Sequence, residues 1–431
     1  MESKKIGLKE AISIGIGGMV GGGIFAVLGL AVSLGKGGTP VSFLVAGTVA
    51  LITSYSYVKL SLTYPDRGGT VKFINQGFGK GVFSGGINNL LWISYIIMLS
   101  LYASAFGSYA PNLLELTNST KMDFHIYASA IIIIATVINY YSIKVVSIIE
   151  SYAVGIKLTI LIAFVFIGTY GLFGNPNTSQ LSITHWESPL KLITAGMVIF
   201  VAYEGFELIA NAAPDIINPL ENVPKAYYYS VIFVIFLYIV IAIITVGSLP
   251  FEEIATAQDY VLAEAAKPML GQTGFTIITI AALISTFSAI NASLYGGSRV
   301  SYEIGEDDEL PHEFTKKLWN QPIGLLITVI ATLLLVNMLN LESISTAGSL
   351  GFLLVFSAVN YAGFKLASDI KAKKIIPLLG FVFSLSATAI LAIQQYSSNK
   401  IGVSVALGIV LICFTGEFIN RVLSGLQPIE Q

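Results

Sequence analysis

The chain has 431 residues, of which 55% are hydrophobic and 11% charged, with a formal net charge of −2. Soluble domains carry about 25% charged residues, so this composition argues against a water-soluble fold, and the lack of a concentrated basic face argues against nucleic acid as a partner. One cysteine, Cys413, and three histidines, His125, His185 and His312, leave no disulfide framework and no Cys/His metal cluster; no cofactor and no metal are expected.

A helix that crosses a bilayer needs about 20 apolar residues. Twelve such stretches follow one another, at approximately 8–34, 40–63, 82–109, 124–141, 145–173, 189–213, 226–249, 272–302, 322–339, 343–366, 375–394 and 400–420. The first follows Lys4, Lys5 and Lys9 as a signal peptide would, but it is too long and glycine-rich, has no clear A-x-A site and is followed by further spans, so it reads as a membrane helix. Cys413 reads as a small apolar residue of the last helix. Lysine and arginine favour the cytoplasmic side. With the N-terminus inside, 17 of them fall on cytoplasmic segments and 5 on external ones, leaving only Lys157 inside a span. An all-α, multi-pass cell-membrane protein with both termini cytoplasmic is expected, its surroundings the lipid bilayer.

Two spans carry signs of interruption. The first has six glycines among the nine residues 15–23, and each glycine inside a helix costs roughly 1 kcal/mol relative to alanine, so Gly21-Gly22-Gly23 is a candidate break. Backbone broken at that depth is tolerated only where it lines an enclosed cavity. The outer half-helix, starting near Ile24, would then point free N–H groups at an anionic group of a substrate. Equally, Gly17/Gly21 and Gly18/Gly22 are small-xxx-small pairs suited to tight packing. The sixth span holds Ala202-Tyr203-Glu204-Gly205-Phe206-Glu207, two carboxylates and a glycine in an apolar helix that ends at Pro214. Acids at this depth cost roughly 2.5–3.5 kcal/mol each and face a cavity or a partner. Breaks in spans one and six point to an inverted five-helix repeat with a midplane site, although no residue-level repeat is visible.

Lys157 is the third anomaly. Entered near Val145, the fifth helix carries it roughly 18 Å into the bilayer at 1.5 Å per residue. A lysine there can exchange a proton during a transport cycle, or can serve structurally by bonding helix-break carbonyls or pairing with Glu204 or Glu207. Trp92, Tyr95 and Tyr102 in span three, with Tyr203 and Phe206 in span six, are either pocket wall or ordinary packing.

Four stretches taken in order, Gly17–Phe25, Tyr64-Pro65-Asp66-Arg67-Gly68-Gly69, Tyr203–Glu207 through Asn218-Pro219 and Pro224, and Ser298-Arg299-Val300 through Leu310-Pro311, resemble the amino acid–polyamine–organocation transporter superfamily, with the archaeal proton-coupled branch nearest. The resemblance implies a LeuT-like fold of twelve helices: one half at 1–172, an inverted second half at 173–370, and two additional C-terminal helices at 371–431. It also implies that amides of Gly21, Gly22 and Gly23 hold a substrate carboxylate. Met19 and the chain at Val201, Ala202, Tyr203 and Glu204 would offer carbonyls to its amino group. Lys157 stands where sodium-coupled relatives hold a sodium ion, with the hydroxyls of Ser285 and Ser288 lining that place; serines bonding their own helix carbonyls are the plainer reading. Glu207 reads as a coupling acid or a structural acceptor. Glu204 departs from the family, since amino-acid-selective relatives usually have an apolar residue there. The implied function is proton-coupled symport of a small amino acid by alternating access. Polyamine or organic-cation transport, exchange, and a membrane solute sensor are the alternatives. No catalytic motif points to an enzyme.

Overall fold

A computed structural model describes residues 5–141, 143–173, 175–318 and 321–425; Lys4, Trp319, Asn320 and the tail from 426 lie outside it. All twelve apolar stretches are helical: α1 (Leu8–Met19) with α2 (Gly23–Gly35), α3 (Thr39–Thr63), a short α4 (Thr70–Phe78), α5 (Val82–Tyr109), α6 (Thr120–Tyr141), α7 (Ile143–Gly171), α8 (Pro189–Val198) with α9 (Leu208–Ala212), α10 (Pro219–Ser248), then short α11 (Phe251–Thr256) and α12 (Val261–Glu264), α13 (Lys267–Glu306), α14 (Ile323–Met338), α15 (Leu341–Lys365), α16 (Ile375–Ser398) and α17 (Lys400–Leu423). A helix closes its own backbone hydrogen bonds, which is what a chain surrounded by lipid requires. Among the described residues nine helices are long and apolar enough to cross a membrane unaided. The bent pairs α1–α2 (45°) and α8 with Phe200–Asp215 (54°) raise this to eleven. The one expected span left over, the ninth in chain order, is α14, whose 16 residues reach about 24 Å, short of the roughly 30 Å hydrocarbon core.

Helix starts follow local chemistry. Proline occupies the first turn of α3, α8, α10 and α13, where its missing N–H costs nothing. Asn340 and Asn399 cap α15 and α17 by accepting from the amides of Ser343 and Gly402 at 2.9 and 3.0 Å. Gly271, at φ +60°, separates the first residues of α13 from the rest, and the apolar stretch read from sequence begins just after it.

The packing has a centre. The most apolar window of α5 is 89% buried, whereas those of α16 and α17 are 28% buried and face outward. Contacts also come in pairs. α7 packs on α13 as α15 packs on α5, α6 on α13 as α14 on α5, and α1 on α10 as α8 on α3, while α3–α10 and α5–α13 join the two sets.

Candidate functional site

The first break occupies Val20–Gly22, between the last residue of α1 and the first of α2. Each carbonyl it exposes has a donor from another helix. Lys157 Nζ on α7 donates to Gly17 O at 3.0 Å, Tyr238 OH on α10 to Met19 O at 2.7 Å, and Ser285 Oγ on α13 shares its one proton between Val20 O, at 3.0 Å, and Gly21 O. Lys157, Ser285 and Ser288 are fully buried. On the amide side, the opening residues of α2, from Gly23 onward, have no helical acceptor, as at any helix start, and α2 aims its positive dipole end at the same spot.

The second break replaces helix by a 3₁₀ turn at Phe200–Tyr203, followed by extended Glu204 and by Gly205 at φ +118°. Its carbonyls are supplied from α15: Ser345 Oγ and Ser349 Oγ both donate to Val198 O, at 2.7 and 2.8 Å, while Ser349 Oγ also accepts from Val201 N at 3.0 Å. Tyr238 OH reaches Ala202 O at 3.2 Å as well, so one hydroxyl ties the two breaks together. Glycines set how closely they meet. A Cβ on Gly18 would lie 2.8 Å from Gly205 Cα, and one on Gly23 2.8 Å from Ala202 Cα. The glycine-rich run therefore serves both readings, break at 21–22 and tight packing at 18 and 23.

Glu207 Oε2 accepts from the Gly205 amide at 2.7 Å and its Oε1 from Tyr95 OH at 3.3 Å, and Glu204, 4% exposed, lies against Glu207. Of the span-three aromatics, Tyr95 reaches the second break, and Tyr102 covers the first, its ring 2.3 Å from where a Cβ on Gly22 would stand. Trp92 instead donates to Thr328 Oγ1 at 3.0 Å. Tyr203 turns its hydroxyl to Phe43 O at 2.8 Å, and Phe206 packs on Tyr57 and Phe356, so these two side chains belong to the core while the backbone at 201–204 forms the site. Sequence reasoning missed Tyr238, Ser345 and Ser349; the i, i+4 spacing of the two serines in an apolar helix was the available signal.

A family model described as amino acid permease matches residues 6–415. This chain belongs to the amino acid permease family. Similar proteins include an uncharacterized protein of Methanocaldococcus jannaschii, 33% identical over 93% of this chain and 91% of the relative, and the Escherichia coli inner membrane transport protein YbaT, 33% identical over 89% and 91%. More distant is the Bacillus subtilis branched-chain amino acid permease BcaP, 23% identical over 73% of this chain and 69% of its own. The protein is thus a multi-pass membrane transporter and not an enzyme.

In this permease a cavity of about 800 Å³ opens at the end that carries Arg67, Arg299 and Lys317, between Ile14 of α1, Leu208 of α9 and Tyr295 of α13. At the opposite end the segment joining α11 and α12 packs directly on α2, where a Cβ on Gly29 would lie 2.0 Å from Gln258 O.

Proposed function

We propose that this permease carries small amino acids in symport with protons, by alternating access around the two breaks. The basic end is cytoplasmic in this reading, and the conformation described is open toward the cytoplasm. The paired helix contacts support two inverted halves of five spans, with α14 as the ninth span and α16 and α17 appended outside. Free amides at the start of α2 suit a substrate carboxylate, and Met19 O and Ala202 O, each with a second lone pair beyond the one Tyr238 uses, suit an ammonium group. Spans one, two, six and seven rock against three, four, eight and nine.

The observation that carries proton coupling is the 3.0 Å bond from Lys157 Nζ to Gly17 O, made by a fully buried lysine. A protonated Lys157 holds α1 in its present place. Loss of the proton weakens that bond and frees α1 to move, so proton and substrate bias one element and are thereby coupled. The test is uptake of a mixed radiolabelled amino acid pool into proteoliposomes under an imposed pH gradient, with wild type and Lys157→Ala. The variant is expected to lose proton-driven accumulation while still exchanging substrate; undiminished accumulation refutes the coupling role. Glu204 sustains a second reading, transport of a cationic amine, because a buried carboxyl within the second break is a ready counter-charge for an ammonium group.

A further inference from the structure

Far from Lys157, at the basic end, lies a cluster that the transport reading leaves unused. Four buried side-chain polar atoms there, Asn88 Oδ1, Asn89 Oδ1, Glu309 Oε1 and Glu417 Oε2, have no hydrogen-bond partner among the described residues. These residues are neighbours. Asn88 Nδ2 donates to Glu309 Oε2 at 2.6 Å, Asn89 Nδ2 donates to the Glu309 backbone carbonyl at 3.1 Å, and the Glu417 carboxyl carbon stands 2.3 Å from where a Cβ on Gly85 would lie, one turn before the two asparagines on α5. Glu309 and Glu417 are both fully buried.

All four orphaned atoms are acceptors, so what they need is a donor or a cation. The charges say the same. Arg421 Nε donates to Glu417 Oε1 at 2.6 Å and offsets one carboxylate. Asp307 is occupied by Lys80 Nζ and Asn75 Nδ2, each at 2.9 Å, and Asp308 belongs to the same exposed loop. Counting these groups, one buried negative charge remains uncompensated, and an unpaired buried charge is too costly to persist. A divalent ion would overshoot by one charge. Access exists through a cavity of about 360 Å³ lined by Asn89, Glu309, Pro311, Phe314, Gly416 and Asn420.

We propose that the Asn88–Asn89–Glu309–Glu417 cluster is a second cation site, taking up one small monovalent cation, a proton or a sodium ion, and so locking α17 and the segment after α13 onto α5. Burial pushes the Glu309 carboxyl up to about 7 against the opposing bonds from Asn88 and Ser84, and the Glu417 carboxyl likewise to about 7 in spite of Arg421 and Asn89 beside it, so the pair holds a proton near neutrality when no other cation is present. Between the ordinary carboxylate range and about 7, the folded protein keeps a proton that the unfolded chain has released. Stability therefore falls as pH rises through that window and levels off above it.

The test uses the full-length protein in nanodiscs, melted across pH in choline chloride or sodium chloride of equal ionic strength, together with the infrared band of a buried protonated carboxyl. In choline the wild type is expected to lose melting temperature as pH rises toward about 7, with the band bleaching over the same range, Glu309→Gln to diminish both changes, and Glu309→Gln with Glu417→Gln to abolish them. Sodium that raises the melting temperature above pH 7 and bleaches the band at constant pH identifies the cation as sodium; no sodium effect identifies the proton. A wild type with neither a titrating band nor a sodium response overturns the proposal, whether or not the variant folds. So does a folded Glu309→Gln that retains them in full. Lys157→Ala is expected to keep both signals, which separates this site from the transport reading.

Discussion

Gly205→Ala is the sharpest single perturbation of the two-break arrangement. Gly205 sits at φ +118°, a region essentially closed to other residues, and holding alanine there costs about 1–3 kcal/mol. The added Cβ would also lie 2.4 Å from Gly18 C and 2.6 Å from Met19 N. Those are backbone atoms, so no side chain can swing aside, and α1 must move off the second break at a further cost of about 1–3 kcal/mol. Gly18→Ala, a helical position whose Cβ would meet Gly205 Cα at 2.8 Å, carries only the second cost. Gly408→Ala on α17, with nothing within 4 Å of its Cβ, carries neither and gains up to about 1 kcal/mol from helix propensity. The expected order of melting temperatures, read by fluorescence-detected chromatography of heated membranes, is Gly408→Ala at or above wild type, then Gly18→Ala, then Gly205→Ala. Uptake should fail in the last even where it folds. A Gly205→Ala protein that melts and transports as wild type does would refute the claim that the breaks are packed on one another.

Two further substitutions probe the same region. Tyr238→Phe removes one hydroxyl from two buried carbonyls, which costs about 1–3 kcal/mol; a lower melting temperature with an altered KM is expected, and an unchanged KM would reduce Tyr238 to a purely structural bond. Glu204→Met separates the two substrate readings. A thermal-shift screen of amino acids, polyamines and simple amines is expected to show amino acids stabilising both proteins, whereas stabilisation by amines alone, lost in the variant, would establish the cationic reading.

The membrane class, the helix positions and both breaks were legible in the sequence because each rests on a local and costly signal: long apolar runs, consecutive glycines, carboxylates at mid-span. Lys157 was legible for the same reason, since a lone cation in an apolar helix has no inexpensive explanation. The bond it makes to Gly17 O was one of the structural alternatives, and the coupling role proposed above is built on that bond. Residues whose chemistry is ordinary for a membrane helix were not legible. Tyr238 is one of 21 tyrosines, and nothing in Phe236-Leu237-Tyr238-Ile239 distinguishes a hydroxyl that bridges two helix breaks from one at a lipid headgroup. Ser345 and Ser349 are hidden in the same way, because serine in an apolar helix most simply bonds its own backbone. Glu309 and Glu417 lie 108 positions apart, in segments read as a loop and an outer helix, and only the fold brings them to the same turn of α5.

The two breaks are held by chemically different hands. At the end of α8, Val198 O receives the hydroxyls of Ser345 and Ser349 from α15, the last helix of the second half. At the end of α1, Gly17 O receives the ammonium of Lys157 from α7, the last helix of the first. If the halves are related by inversion, these are the same bond made twice, once with groups that stay neutral at every working pH and once with a group whose donor strength depends on a proton. The span-six contact then persists throughout the cycle while the span-one contact can be weakened by deprotonation alone. In the proposed cycle spans one and seven rock together, so Tyr238 would move with α1 and keep its bond to Met19 O. Ser285 stands on α13 across the moving boundary and must release Val20 O when α1 swings. Releasing a neutral serine bond costs about 1 kcal/mol, a small barrier beside that of pulling a backbone carbonyl from a buried ammonium group. In that cycle control of the swing concentrates on Lys157, and a Lys157→Met variant should retain downhill exchange while its rate lacks the pH dependence expected of the wild type.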